Sequence, residues 1–169
     1  TRADLTEDAT STFADLALRL RQAGHEAKDV AHFVNRLVFC MFAEDVRLLP
    51  EKMFEKMVFA SNPGSFEGNC RDLFAAMAQK GGKIGYTPIP WFNGGLFDDD
   101  TVLPVDADDI TMLRKAAKMD WSQIDASLLG TLFERGLDPD KRSQLGAHYT
   151  DAAKIMQIVE PVVLRPLKA

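Results

Sequence analysis

Apolar side chains recur at three- and four-residue spacing along most of this chain, which predicts a set of packed helices. The clearest case runs from about Lys28 to Leu48. Val30, Phe33, Val34, Leu37, Val38, Met41 and Phe42 form one stripe there, and Phe39 with Cys40 makes the middle apolar nearly all round. A helix that is apolar on every side must be covered on every side, so it is expected at the centre of the core. Ahead of it, Phe13, Leu16, Ala17 and Leu20 share one face of a first helix. Thr10 or Ser11 is placed to cap that helix, the polar residues 1–9 are expected to fray, and Gly24 stops it.

Pro50 suits the first turn of a third helix carrying Met53, Phe54, Met57 and Val58. Asn62-Pro-Gly predicts a turn, followed by a fourth helix with Phe66, Cys70, Leu73, Phe74 and Met77, ending at Gly81-Gly82. The period then changes. Prolines and the run Trp91-Phe-Asn-Gly-Gly-Leu-Phe97 dominate 84–105, and Asn93-Gly94 between hydrophobic flanks is a hairpin signal. This stretch is expected to form a small two-stranded hairpin or an ordered loop. Helical spacing resumes at about Asp106 to Met119, about Asp125 to Arg135, and from Thr150. The last of these carries Ala153, Ile155, Met156 and Val159, and Pro161 kinks or ends it. The fold class expected is mainly α: an irregular helical bundle with one small inserted β-hairpin or ordered loop.

Composition narrows the picture. With 169 residues, 46% hydrophobic and 27% charged, the chain has material for one domain with a real core. A net charge of −5 argues against coating nucleic acid through overall positive charge, although it permits a local basic patch. The two cysteines, Cys40 and Cys70, fall in different predicted helices with no Cys-x-x-Cys, which points to a reducing, cytoplasmic setting. No apolar run approaches membrane-spanning length, so no membrane partner is expected. The chain opens on Thr1-Arg-Ala-Asp, without an initiator Met or a signal-peptide pattern, which suggests a piece of a longer polypeptide.

Candidate chemistry is sparse. His25, His32 and His148 pair with no other His or Cys at metal-ligand spacing, and no metal site is expected. Gly81-Gly-Lys-Ile-Gly85 lacks the full phosphate-loop pattern, and a helix cap plus turn explains it better. Asp98-Asp-Asp100 could ligate a divalent cation, but a polar hairpin end accounts for it more simply. Glu44-Asp45 closes an apolar stretch, and capping or an interhelix salt bridge with Arg47 or Arg36 is the expected role. Arg135, Lys141, Arg142 and His148 form the densest basic grouping near a turn. They suit a DNA phosphate about as well as a solvated loop. Gly146-Ala-His-Tyr-Thr150 is the strongest local motif. It has a glycine for a sharp entry, a flat aromatic face at Tyr149 and a good N-cap at Thr150, though on spacing alone it is simply a capped helix start.

Three segments carry a resemblance: Phe39-Cys-Met-Phe-Ala-Glu-Asp45, Trp91-Phe-Asn-Gly-Gly-Leu-Phe97 and Gly130 to Thr150. Together and in this order they resemble the helical spacer region of MmeI-like type II restriction–modification enzymes, over about Asp29 to Ala169. In that family one polypeptide joins an endonuclease, a helical spacer, an adenine-specific DNA methyltransferase and a target recognition domain. The resemblance implies a spacer domain over 1–145 and the start of a methyltransferase domain over 146–169. It implies double-stranded DNA as partner of the parent enzyme, with flanking nuclease and methyltransferase domains. S-adenosylmethionine would be the methyl donor and Mg²⁺ would serve cleavage.

The motif at Gly146, His148, Tyr149 and Thr150 resembles the Gly-x-Tyr/Phe-Tyr-Thr motif that borders the methionine end of that cofactor, with His148 where an aromatic residue is more usual. The cofactor's glycine-rich loop and the Asn/Asp-Pro-Pro-Tyr/Phe motif for a flipped adenine are absent from the sequence. The chain alone is therefore expected to transfer no methyl group and cut no DNA. The alternative is a free-standing helical interaction module that binds protein through Trp91 to Phe97. Exposure of Trp91 and Phe92 would favour the module, and burial of both would favour the spacer.

Overall fold

The computed structural model describes residues 1–92, 96–98 and 101–124. The helices expected near Asp125–Arg135 and from Thr150, with their apolar residues, lie outside this range. So do the Asn93-Gly94 turn and Asp99-Asp100.

Five helices and one two-stranded sheet make up the described part. In order they are α1 (Arg2–Gln22), α2 (Ala27–Asp45), a 3₁₀ turn (Pro50–Lys52), α3 (Met53–Ala60), α4 (Phe66–Met77), β1 (Lys83–Ile84), β2 (Thr87–Pro88), α5 (Ala107–Ala117) and a 3₁₀ turn (Trp121–Gln123). The mainly α class holds. α2 is the central element: Phe33, Leu37, Val38, Phe39, Cys40, Met41 and Ala43 are all fully buried. α1, α3 and both 3₁₀ turns pack on it, α5 lies against α1 and α3, and α4 joins α3 to β1.

Three expectations need correction. The first helix does not begin near Thr10. Its N-cap is Thr1, which forms a capping box with Asp4. The polar residues ahead of Phe13 are helical and partly buried because the helix satisfies them itself. Thr6, Thr10 and Thr12 each donate a hydroxyl hydrogen bond to the carbonyl four residues back, at 3.0, 2.8 and 2.8 Å.

The hairpin lies earlier than Asn93-Gly94. Lys83 pairs with Pro88 and Ile84 with Thr87, around a turn at Gly85-Tyr86. Gly85 has φ +61°, a left-handed conformation that favours glycine. Gly82, just before β1, cannot carry a side chain at all: a Cβ there would sit 2.1 Å from the Ala76 carbonyl oxygen. The glycines that looked like a helix stop therefore also let the hairpin lie on the end of α4.

Pro50 does not open an α-helix directly. It starts the 3₁₀ turn, and Arg47, Glu51 and Lys52 have φ of 66°, 55° and 55°. Three non-glycine residues in the left-handed region within six positions make 47–52 the strained corner of the fold.

Candidate functional site

The residues singled out for cofactor binding (Gly146, His148, Tyr149, Thr150) and for DNA phosphates (Arg135, Lys141, Arg142) lie outside the described residues. What the described part builds is a set of charged junctions that hold irregular segments to the helices.

The first junction closes α2. Glu44 is 3% exposed, and its Oε2 accepts the Glu55 amide hydrogen bond at 2.9 Å, which caps the start of α3. Its Oε1 is buried without a hydrogen-bond partner among the described residues. Burial pushes the Glu44 carboxyl up to about 7, and neighbouring Asp45 and Glu55 push the same way, against the Glu55 amide and Lys52. Asp45 accepts the Lys52 ammonium on Oδ1 and the Trp121 amide on Oδ2, the latter at 2.7 Å. The hydrogen bond to Asp45 raises the Lys52 ammonium above its ordinary range. The carboxylates thus do act in capping and an interhelix bridge, but with Lys52, Glu55 and Trp121 rather than with Arg47 or Arg36. Trp121 completes the junction: its indole N–H donates to the Ala116 carbonyl at 2.8 Å, and its ring meets Phe13 and Phe42 edge-on.

The second junction holds the Trp91–Phe97 motif. Arg36, fully buried on α2, donates from Nε to the Leu96 carbonyl at 2.7 Å and from Nη1 to the Thr101 carbonyl at 2.9 Å. Phe92 and Phe97 are buried against Phe39 with centroid distances of 5.1 and 5.6 Å, and Phe97 meets Phe74 at 5.5 Å. The Phe92 amide donates to the Met77 carbonyl at 2.9 Å, which ties the segment to the end of α4. Trp91 stays partly exposed, at 41%, with the Lys80 ammonium 4.7 Å from its ring centroid. The Trp-Phe pair is therefore split, and the inward residues turn the motif into a clamp on the central helix.

The third junction is at the surface. Arg19 of α1 donates from Nε to Asp109 at 2.7 Å and from Nη2 to Asp106 at 2.9 Å, the two residues of the α5 capping box. The Asp109 hydrogen bond raises Arg19. The Asp109 amide, followed by Arg19, lowers Asp106.

None of these junctions makes a reaction centre. A groove of about 380 Å³ between α3, α4 and β1 is lined by Met53, Met57, Leu73, Asp72 and Lys83 among others, and none of the carboxylates above opens into it. Burial holds the Cys40 and Cys70 thiols well above their ordinary range, so neither is a ready nucleophile. Among the described residues no three His, Cys, Asp or Glu side chains group as metal ligands, and no helix is long and apolar enough to cross a membrane.

Sequence reasoning did not pick out Lys52, Trp121 or the basic face around Phe59, and it named Arg36 only as a possible partner of Glu44-Asp45. Arg36 did carry a signal: it is a cation in the most apolar helix, where a charge persists only with partners.

The architecture can be set beside known proteins. Residues 28–97 match the family described as the MmeI helicase spacer domain. That span contains the α2 terminus and the Trp91–Phe97 clamp, and with them the first two of the three resembling segments. DNA methyltransferase A of Bacillus subtilis (strain 168) is 27% identical over 146 residues, covering 80% of this chain and 16% of that protein. The structure of the type IIL restriction–modification enzyme MmeI in complex with DNA superposes with a TM-score of 0.68 at 27% identity, covering 94% of this chain and 23% of that one. The chain thus spans less than a quarter of either relative, and the likeness extends well beyond the matched family segment. Over residues 28–97, then, this chain is similar to the helical spacer of the MmeI-like restriction–modification enzymes.

Proposed function

We propose that this chain is the spacer of a bifunctional DNA restriction–modification enzyme, and that it sets the distance between a nuclease and an adenine-N6 methyltransferase on double-stranded DNA. The observation that carries this reading is the likeness to MmeI over 94% of the chain, combined with the interior of the fold. Charged junctions tie loops to a buried central helix, which suits a rigid strut, and among the described residues no set of side chains converges on a reaction. The parent enzyme would take S-adenosylmethionine as methyl donor and use Mg²⁺ in cleavage. Gly146, His148, Tyr149 and Thr150 would border the methionine end of the cofactor, and Arg135, Lys141 and Arg142 would meet phosphates ahead of it. On this reading 1–145 is spacer and 146–169 begins the methyltransferase domain, in the cytoplasm.

The test is geometric. In the full-length enzyme, inserting a flexible segment between residues 124 and 146 should shift or blur the cleavage position relative to the methylated site while methylation persists. An unchanged cut position would count against the strut. The rival reading, a protein-binding module, has the partial exposure of Trp91 in its favour, but its other anchors, Phe92 and Phe97, are spent inside the core.

A further inference from the structure

The chain is acidic overall, at −5, yet one face gathers cations around an exposed aromatic ring. Phe59, near the end of α3, is 39% exposed. The Lys118 ammonium lies 5.1 Å from its ring centroid and the Arg114 guanidinium 5.7 Å. Lys115 is exposed beside Arg114 on α5, and Lys56 is exposed one turn before Phe59 on α3.

Some cations elsewhere are paired: Arg19 with Asp106 and Asp109, Lys52 with Asp45, Arg71 with Glu67. Lys56, Arg114, Lys115 and Lys118 make no ion pair among the described residues. The α5 helix C-terminus by itself favours Lys115 and Lys118. It does not explain why Lys56 and Phe59, on another helix, complete the same face.

We propose that this face is a docking site for the phosphate backbone of duplex DNA, through which the spacer rests on DNA without reading sequence. The proposal builds on the spacer reading above. Charge complementarity favours a polyanion here. Arg114 Nη2 is already turned onto the Phe59 and Ser61 carbonyls, at 3.5 and 3.1 Å, so Arg114 does not offer the bidentate fork that grips a carboxylate or a phosphate. What remains are three lysines, flexible point charges that suit a repeating phosphate chain. Because the rest of the chain is acidic, a polyanion would be repelled elsewhere, and the patch would also set orientation.

The experiment is a salt titration of this chain against a labelled duplex of about 30 base pairs and arbitrary sequence, followed by fluorescence anisotropy. Replacing Lys56, Lys115 and Lys118 together by Gln should weaken binding at low salt at least about tenfold. It should also reduce the slope of log affinity against log salt by about 2–3, roughly 0.9 per phosphate contact. Single replacements should each remove about one such step, and they keep the test open if the triple variant loses helical content by circular dichroism. The pair Lys80→Gln and Lys83→Gln, on the hairpin, should leave the slope unchanged.

Unchanged affinity and slope in the triple variant, or no binding of the wild type at about 50 mM salt, would overturn the proposal. So would tighter binding of polyglutamate than of duplex, which would assign the face to an acidic protein. The cut-position experiment separates the two readings: a cut that shifts on insertion with lysines that do not matter removes this face and leaves the strut, and the reverse result removes the strut alone.

Discussion

Arg36 and Arg19 both fasten the stretch that leads into α5, yet by opposite means. Arg36 works inside the core, fully buried, with its donors on two backbone carbonyls of the 96–101 segment. Arg19 works at the surface, with its side chain 37% exposed and its donors on the carboxylates of the α5 cap. The buried group lost its hydration on folding, so each hydrogen bond it makes replaces one that water cannot return. Water and salt compete for the exposed group at every moment. Similar contact distances therefore stand for very different contributions, and burial decides which arginine the fold depends on.

The largest effect expected from breaking this contrast is at Arg36. Arg36→Met keeps the apolar stem but removes the hydrogen bonds to the Leu96 and Thr101 carbonyls, at a cost of about 3–5 kcal/mol. Urea denaturation of the chain measures it, and a loss below about 1 kcal/mol would mean that the Phe92 and Phe97 packing holds the segment unaided.

Glu44 sharpens the contrast, because it is a buried charge that is short of a partner. Its folded carboxyl is raised from 4.5 to about 7, so the folded state binds the proton more tightly than the unfolded state. The stability it contributes is fully present below pH 4.5 and is lost as pH rises to about 7. The amplitude is about 3 kcal/mol at roughly 1.4 kcal/mol per unit. Glu44→Gln keeps an acceptor for the Glu55 amide and has no proton to lose. The variant should flatten that part of the stability–pH curve and exceed the wild type above pH 7. A variant that follows the wild-type curve would show that another group titrates.

Arg19→Gln should do least. Stability should stay near that of the wild type, and whatever difference remains should vanish when thermal melts are repeated in about 1 M salt. A large salt-independent loss would place Arg19 beside Arg36 and end the distinction.

The helices were legible because they rest on local rules. The three- and four-residue spacing located α2, α4 and α5 to within a few positions, and Asp106, where the fifth helix was expected to begin, is its cap. The same rules misjudged residues 1–9. A run of threonines looks polar when counted, but each hydroxyl is satisfied by its own helix and can be buried. The hairpin was anticipated in kind and misplaced: Asn93-Gly94 carried the turn signal, whereas the strands pair around Gly85-Tyr86, with Gly82 close against Ala76.

By itself, then, the sequence determined the helical class, the central place of α2 and the resemblance to the MmeI spacer, since periodicity and ordered motifs are properties of the chain read locally. Only the tertiary structure decided which charges matter. Arg36 and Asp45 meet partners 60 and 76 positions away, and the Lys56, Phe59 and Lys118 face exists only once α3 lies on α5. Burial and proximity arise from the path of the whole chain, and they are what turn a charged residue into either an anchor or a surface.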